Sequence, residues 1–533
     1  MMPSVTLQDL LRESIIDELR GGGETVVTGV QHDSRQVGLG DLFVAVPGQK
    51  HDGAAFAVQA ASRGASAIVA EQWLDVPVPV GRAGNARRCL ALAASRVYGD
   101  PTSVLRVVGV TGTNGKTSVT QIVAAGLQAC GAEVAHVGTL GMQIGSSHTT
   151  AMVSGSSHTT AMVSGSSHTT PEADDLMRFA RQASDSGCTH LVMEVSSHAL
   201  ALHRVDGVHF EVAAFTNLSQ DHLDFHGTML AYGEAKARLF ESFAPRTSVI
   251  NIDDEFGRAL AERLRHRGQR VLSVSTRLRA GAHGETCADI QPIAITHSLR
   301  GIAGDVVVGD ATMRLASRMV GAHNVQNLLV ALGCLHALGV DVHRALRGIE
   351  SFQGVPGRLE RVSDASPTDP ARGVQVFVDY AHTPDALTKA LSALRPDVAG
   401  RLWVVFGAGG DRDPHKRPLM GRAAATGADL VMLTDDNPRT EDPASIVAAI
   451  ERGVREVIAE RCEPRDLGGH ARAYAVKHDR RQAIRDAIQG ARAGDVVVIA
   501  GKGHETYQIV GTRCLPLDDR HEARLALQER GPL

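Results

Sequence analysis

The sequence predicts an α/β protein of three domains built on largely parallel sheets. Three observations lead there. Short β-branched runs alternate with Ala-rich stretches almost throughout: LRVVGVTG (105–112), THLVMEVS (189–196), VAAFTNLS (212–219), SVINIDD (248–254), VQVFVDY (374–380), RLWVVFGAG (401–409), DLVMLTDD (429–436) and DVVVIAGKG (495–503). Each is apolar enough to be covered on both faces, as strands of parallel sheets are. One run leads through a Gly-rich turn into an apolar-periodic helix, VVGVTGTNGKTSVT (107–120). The 533 residues correspond to about three or four domains at roughly 150 residues each.

Strand-like runs occur in each of the segments 1–100, 101–345 and 346–533, with boundaries near Pro101 and Gly348. The middle segment reads as a phosphate-loop sheet domain, the last as a Rossmann-like one. Residues 293–317 differ from their surroundings. They alternate polar and apolar with Gly turns and predict a small antiparallel appendage to the middle domain. SSHTTAMVSG at 146–155 repeats identically at 156–165, followed by SSHTT at 166–170. A ten-residue tandem is too short for a solenoid. It reads as a duplication within a surface loop, tolerated because closure entropy grows only logarithmically with loop length.

Composition excludes several classes. A hydrophobic content of 43% supports several cores, and a formal net charge of -4 carries no basic footprint for nucleic acid or a membrane surface. The seven cysteines stand singly with no CxxC, which argues against a disulfide framework or zinc site and fits a reducing compartment. The N-terminus is polar and acidic, unlike a secretory leader, and no apolar run approaches the ~20 residues of a membrane span. The expectation is a cytoplasmic monomer acting on small molecules, with no nucleic-acid or membrane partner.

The turn at 111–118 predicts nucleotide binding. Small residues let the backbone amides of Gly112, Thr113, Asn114 and Gly115 wrap phosphate oxygens, and the helix N-terminus adds a favourable dipole. Lys116 would reach the β- and γ-phosphates and Thr117 would offer a hydroxyl to Mg²⁺, with Ser118 beside it. The spacing departs from the standard loop, since Val110 stands where its first Gly belongs. Glu194 closes a buried run, and a carboxylate at the carboxyl edge of a parallel sheet can hold a cation near the phosphates. Asp221-His222-Leu223-Asp224-Phe225-His226 clusters acids and imidazoles. Lys236 sits on a predicted helix, where spacing alone reads it as a solvated surface charge. Asn324 and Asn327 share a helix face and suit an adenine edge, with Asn324 alternatively an N-cap. Arg412 and Arg439 offer planar forks for a carboxylate. The GAGGDRD turn only faintly echoes a dinucleotide fingerprint, because Arg412 replaces its last Gly.

TGTNGKTS resembles the ATP loop of the Mur ligases and their folylpolyglutamate synthase relatives. The motifs MEVSSHAL (193–200), TNLSQDHLDFHGTM (216–229), YGEAKARLF (232–240), GAHNVQNLLVA (321–331), DYAHTPDAL (379–387), FGAGGDRDPHKRPLMG (406–421), TDDNPRTEDP (434–443) and AGKGHE (500–505) follow it in order. Together they are similar to the diaminopimelate-adding branch of the Mur ligase family, with HDSRQVGLGDLFVAVPG (32–48) matching an N-terminal uridine-nucleotide domain.

The resemblance implies an ATP-dependent amide ligase adding meso-2,6-diaminopimelate to UDP-N-acetylmuramoyl-L-alanyl-D-glutamate through an acyl phosphate, in peptidoglycan precursor synthesis. It implies Mg²⁺, two ions, held by Thr117, Glu194, His222 and a CO₂-derived carbamate on Lys236. Catalytic roles fall on Lys116, Glu194, His222 and Lys236. Arg358, Asp379 and His382 would join Asn324 on the nucleotide. Ser34, Gln49, Lys50, His51, Thr169, Thr170, Ser196 and Arg204 would hold the UDP-muropeptide. Leu202 departs from the Gln that many relatives carry there. Arg412, Asp436, Asn437, Pro438, Arg439, Gly501 and Glu505 would hold diaminopimelate, with Arg412 and Arg439 on its carboxylate and Glu505 on its distal ammonium. In the family DNPR marks the diaminopimelate enzymes, and the lysine-adding relatives lack the Arg. Two alternatives stand beside this: a lysine-adding ligase, or a non-catalytic nucleotide-gated binding protein.

Overall fold

The computed structural model describes residues 5–48, 52–145, 169–278, 288–362 and 373–530. The tandem repeat through residue 168 and the segment Gln49, Lys50 and His51 lie outside the described residues. The chain packs into two compact units. One comprises Met1–Ala294, Asp305–Met313 and Gln326–Ile349, the other Ile295–Gly304, Arg314–Val325 and Glu350–Leu533.

The first unit holds near its start a five-stranded sheet: β1 (Glu18–Arg20), β2 (Gly29–Gln31), β3 (Asp41–Val44), β4 (Ala67–Ala70) and β5 (Val80–Arg82). They lie in the order β1-β5-β4-β3-β2, parallel except for β1 against β5. Helix α1 (Ala86–Val97) is capped by the Asn85 side chain, which accepts from the Arg88 amide. Its small face of Ala91, Ala93 and Ala94 shares a core with Leu42, Val44 and Val69.

A ten-stranded sheet follows in the chain. Its strands are β6 (Arg106–Thr111), β7 (Val134–Gly138), β8 (Gly141–Ile144), β9 (His190–Glu194), β10 (Phe210–Phe215), β11 (Thr247–Asn251), β12 (Val271–Val274), β13 (Ile290–Ser298), β14 (Gly301–Val308) and β15 (Ala311–Ser317). The order is β8-β7-β9-β6-β10-β11-β12-β13-β14-β15. The strands from β7 to β13 pair in parallel, and the fully buried β7, β9 and β11 explain their unbroken apolar runs. Helices α2 (Lys116–Ala129), α3 (Ala173–Asp185) and α4 (Met229–Glu241) belong to the same unit. The predicted antiparallel appendage is the run β13 to β15, joined by two-residue turns and continuing one edge of this sheet.

The second unit holds the sheet of β16 (Gln375–Asp379), β17 (Leu402–Phe406), β18 (Leu430–Leu433), β19 (Ala473–Val476) and β20 (Val496–Ala500). The order is Glu360–Arg361, β16, β20, β17, β18, β19, all parallel but the short first strand. Open parallel sheets bind ligands beyond the carboxyl ends of their strands. In the first unit those ends lead into Gly112–Thr117, Glu194 and Thr216. In the second they lead into Asp379–His382, Gly407–Arg412, Thr434–Arg439 and Gly501–Glu505.

Candidate active site

In the first unit the turn between β6 and α2 is shaped by two glycines. Gly112 has φ +146° and Gly115 φ +86°. A Cβ on Gly112 would lie 1.9 Å from Thr216 Oγ1, and one on Gly115 2.3 Å from Asn327 Oδ1, so side chains are excluded by space as well as conformation. The turn is tied to the end of β10. The Asn114 amide donates to Asn217 Oδ1 at 3.0 Å, Thr216 Oγ1 donates to the Asn114 carbonyl at 2.6 Å, and Thr113 Oγ1 donates to the Ser219 carbonyl at 3.1 Å. Lys116 Nζ folds back on the loop, donating to the carbonyls of Gly112 and Thr113 at 2.9 Å each. Thr117 and Ser118 follow Lys116 in the first turn of α2, with Thr117 buried.

Lys236 is not the solvated surface lysine that helix spacing predicts. It points inward from α4 and is 1% exposed. Its Nζ donates to the Gly112 carbonyl at 3.0 Å and lies 4.2 Å from the centroid of the Tyr232 ring. Burial, and then the charge of Lys116, hold its pKa well below the ordinary lysine value, against a smaller opposing pull from Asp221. A neutral amine is the nucleophilic form, so the setting suits reaction with CO₂.

Glu194 ends β9 as expected and is 1% exposed. Its carboxylate accepts from the Thr139 amide at 2.8 Å and the Thr139 hydroxyl at 3.3 Å. His222 has φ +52° and is exposed. Its ring packs edge-on against His198, 4.7 Å between centroids. Burial, with the positive neighbours His222, His226 and Arg204, lowers the His198 pKa to about 4. The oxygen donors of Thr117 and Glu194 are the type a hard divalent cation takes, so the residues present fit Mg²⁺. His222 is the less usual donor.

Thr170 knits this edge together. Its hydroxyl donates to the Glu194 carbonyl at 2.9 Å and accepts from the Ser196 amide at 3.1 Å. Ser196 in turn caps the helix Ser197–Ala201, accepting from the Ala199 amide. Arg204, 5% exposed, donates to the Thr170 carbonyl at 3.0 Å and pairs with Glu172 at 2.7 Å. Thr169 lies 3.4 Å from the Thr139 hydroxyl. Ser34 is buried and donates to Gln59 Oε1 at 2.9 Å. Nothing is described for Gln49, Lys50 or His51. Asn327 is buried beside Gly115.

Asn324 corrects one reading. The helix α5 spans His323–Ala337, so Asn324 lies inside its first turn rather than at the N-cap. Its side-chain Nδ2 donates back to the Val320 carbonyl at 2.8 Å.

In the second unit, Asp379 closes β16 and accepts from the amides of Leu359 at 2.7 Å and Ala381 at 2.8 Å. Burial pushes its pKa above the ordinary carboxylate value, opposed by the nearby charge of Arg358. The Arg358 guanidinium sits 5.1 Å over the Tyr380 ring, and His382 meets the Tyr380 carbonyl at 2.7 Å. Arg412 and Arg439 flank one glycine: a Cβ on Gly409 would lie 2.9 Å from Arg439 Nη1 and 3.8 Å from Arg412 Cγ. Arg439 has φ +52° and donates from Nη1 to the Gly410 carbonyl at 2.7 Å. Pro438 precedes it, its carbonyl accepting from the Glu441 amide at 3.2 Å. Asn437 Nδ2 donates to Glu505 Oε2 at 3.0 Å. Gly501 has φ +115°, and a Cβ there would lie 2.5 Å from Asp436 Oδ2. All seven expected amino-acid-site residues thus occur on three neighbouring strand ends.

Three family descriptions match the chain: the Mur ligase family catalytic domain over residues 26–90, the Mur ligase middle domain over 110–335, and the Mur ligase glutamate ligase domain over 357–503. A protein of Gloeobacter violaceus named UDP-N-acetylmuramoyl-L-alanyl-D-glutamate--2,6-diaminopimelate ligase is 42% identical, covering 99% of each chain. The chain belongs to the Mur ligase family. A Mur ligase of the same name from Geobacter metallireducens is 40% identical over 98% of each chain. A solved structure titled as that ligase is 33% identical, with a TM-score of 0.70 over 99% of each chain.

Several residues of this Mur ligase site carried no usable sequence signal. Thr139, which holds Glu194, stands in an ordinary loop. Tyr232 and Thr216 lie inside recognised motifs, but nothing in their type announces a lysine-facing ring or a loop tether. Lys502, within AGKGHE, is wholly buried against Glu505 and Asn437.

Proposed function

We propose that this chain is an ATP-dependent amide ligase that adds meso-2,6-diaminopimelate to UDP-N-acetylmuramoyl-L-alanyl-D-glutamate in peptidoglycan precursor synthesis. The observation that carries the reading is the buried join of Lys236 to the phosphate loop at Gly112. The names of the full-length relatives support the same substrates. The division into a uridine-nucleotide domain at 1–100, an ATP domain at 101–345 and an amino-acid domain at 346–533 belongs to the proposal, as do a monomeric state and a cytoplasmic location. Among the described residues no helix is long and apolar enough to cross a membrane.

ATP transfers its γ-phosphoryl to the D-glutamyl carboxylate, giving an acyl phosphate and ADP. An amine of diaminopimelate attacks the acyl carbon, loses a proton, and the tetrahedral adduct expels phosphate to leave the amide. Lys116 and the amides of Gly112–Thr117 hold the phosphates and favour the charge that develops on them. Thr117, Glu194, His222 and the carbamate of Lys236 would hold Mg²⁺, which when bound neutralises phosphoryl charge. The carbamate turns a neutral amine beside Lys116 into an anion, which gives that cation an opposite charge to pair with. Asn324, Arg358, Asp379 and His382 bind the nucleotide. Ser34, Gln49, Lys50, His51, Thr169, Thr170, Ser196 and Arg204 hold the UDP-muropeptide. Arg412 and Arg439 grip the distal carboxylate of diaminopimelate, and Glu505 takes its ammonium.

The test is phosphate release from ATP with the UDP-dipeptide present, comparing meso-diaminopimelate with L-lysine. Release dependent on the UDP-dipeptide and strong only with diaminopimelate supports the proposal. Release with lysine alone keeps the ligase and overturns the acceptor; release with neither overturns the enzyme.

A further inference from the structure

We infer that Lys502 is a positioning residue for the amino-acid substrate: it fixes the Glu505 carboxylate so that Oε1 is the oxygen left for the substrate's ammonium. This rests on the reading of the DNPR and GKGHE turns as the site of a diamino acid. Lys502 is wholly buried, two residues past the end of β20. A lysine is removed from water in this way only where its charge is paired and hydrogen-bonded.

Its Nζ donates to Asn437 Oδ1 at 3.0 Å and to Glu505 Oε2 at 3.1 Å, with Asp436 Oδ1 at 4.0 Å. Asn437 is oriented without ambiguity. Its Oδ1 accepts from Lys502 and from the Ile509 amide at 2.9 Å, so its Nδ2 is the end that faces Glu505. Glu505 Oε2 therefore receives two donors, Lys502 and Asn437. Oε1 receives none among the described residues. The carboxylate is locked through one oxygen and open at the other.

The charges agree with this assignment. Asp436, Glu505 and Asp519 carry three negative charges against the positive charges of Lys502 and Arg480, leaving one negative charge for an incoming ammonium. Lys502 also ties the turn bearing Asn437, two residues before Arg439, to the turn bearing Glu505. The ammonium acceptor and the carboxylate fork are thereby kept at one spacing. Lys502 itself, fully buried, acts through Glu505 rather than on the substrate.

The experiment is steady-state phosphate release by the full chain, with KM measured separately for diaminopimelate, ATP and the UDP-dipeptide. Lys502→Met keeps the stem and removes the charge. The expected result is a KM for diaminopimelate raised about tenfold or more, the size of a lost hydrogen bond to a charged group, with the other two KM values within about twofold. Glu505→Gln in the Lys502→Met background should add little to either change alone. Lys502→Gln retains a donor and should fall between wild type and Met, and it carries the same comparison if the Met variant does not fold. An unchanged KM for diaminopimelate, full additivity with Glu505→Gln, or a parallel rise of all three KM values overturns the role of Lys502. Wild-type protein that releases no phosphate with diaminopimelate overturns instead the reading of the site on which this role depends.

Discussion

Lys236 and Lys116 converge on one oxygen: the Gly112 carbonyl accepts from the Nζ of both, at 3.0 and 2.9 Å. Two like charges at one acceptor raise each other's cost, and the buried one yields. That relationship makes Lys236 chemically distinct from the lysines at the protein surface.

Replacing Lys236 tests its role as a carbamate. Lys236→Ala should lower kcat by about two orders of magnitude, the scale of a lost electrostatic contact to the reacting phosphoryl. Short carboxylates such as formate should restore part of it. Lys236→Arg cannot form the carbamate and should be as impaired as the Ala variant. Near-normal turnover by the Arg variant would sink the idea.

Gly112 permits no side chain. Gly112→Ala sets a Cβ against Thr216 Oγ1 in a conformation at φ +146°. The strain is about 1–3 kcal/mol, and relief would displace the carbonyl that holds both lysines. The expected outcome is weaker ATP binding in titration calorimetry, with the UDP-dipeptide bound as before. Unaltered ATP affinity would contradict the loop's role.

Arg439 should govern the choice of acceptor. Arg439→Ala removes the guanidinium while Asn437 and Glu505 keep their contact. The expected change is a rise of about a hundredfold in KM for diaminopimelate, as for a lost bidentate ion pair, with little change for ATP. Equal rises for all substrates would mark a folding defect instead.

His32 and Asp174 give the first unit a pH dependence. The imidazole Nδ1 lies 2.8 Å from the Asp174 carboxylate on α3. Burial alone would lower the His32 pKa, but the hydrogen bond and charge of Asp174, with Glu172 and Asp175 near, raise it from 6.5 to about 9. A folded pKa above the unfolded value means stabilisation that is complete below 6.5 and lost as pH rises through about 9. The contribution is on the order of 3 kcal/mol. Thermal melts of wild type across that window should show a falling midpoint, and Asp174→Asn should remove most of the slope. A wild-type slope that persists in the variant would exclude this pair as its source.

The sequence by itself determined the strands, the Gly-rich turn that follows β6 and the family of the chain. Runs such as THLVMEVS and DVVVIAGKG encode burial on both faces, and a Gly-rich turn before GKT is the local pattern of a phosphate loop. Glu194 at a strand end followed from the same logic. What only the tertiary structure decided is which polar groups lose their water. Lys236 and Lys502 look like any surface lysine on a helix or turn. Their burial depends on Tyr232 and Gly112 in one case, and on Asn437 and Glu505 in the other. Those partners lie up to 124 residues away. Thr139 under Glu194 and Asp174 against His32 are likewise long-range pairs. Periodicity reports the local face of an element, whereas desolvation and pairing arise only when distant elements meet.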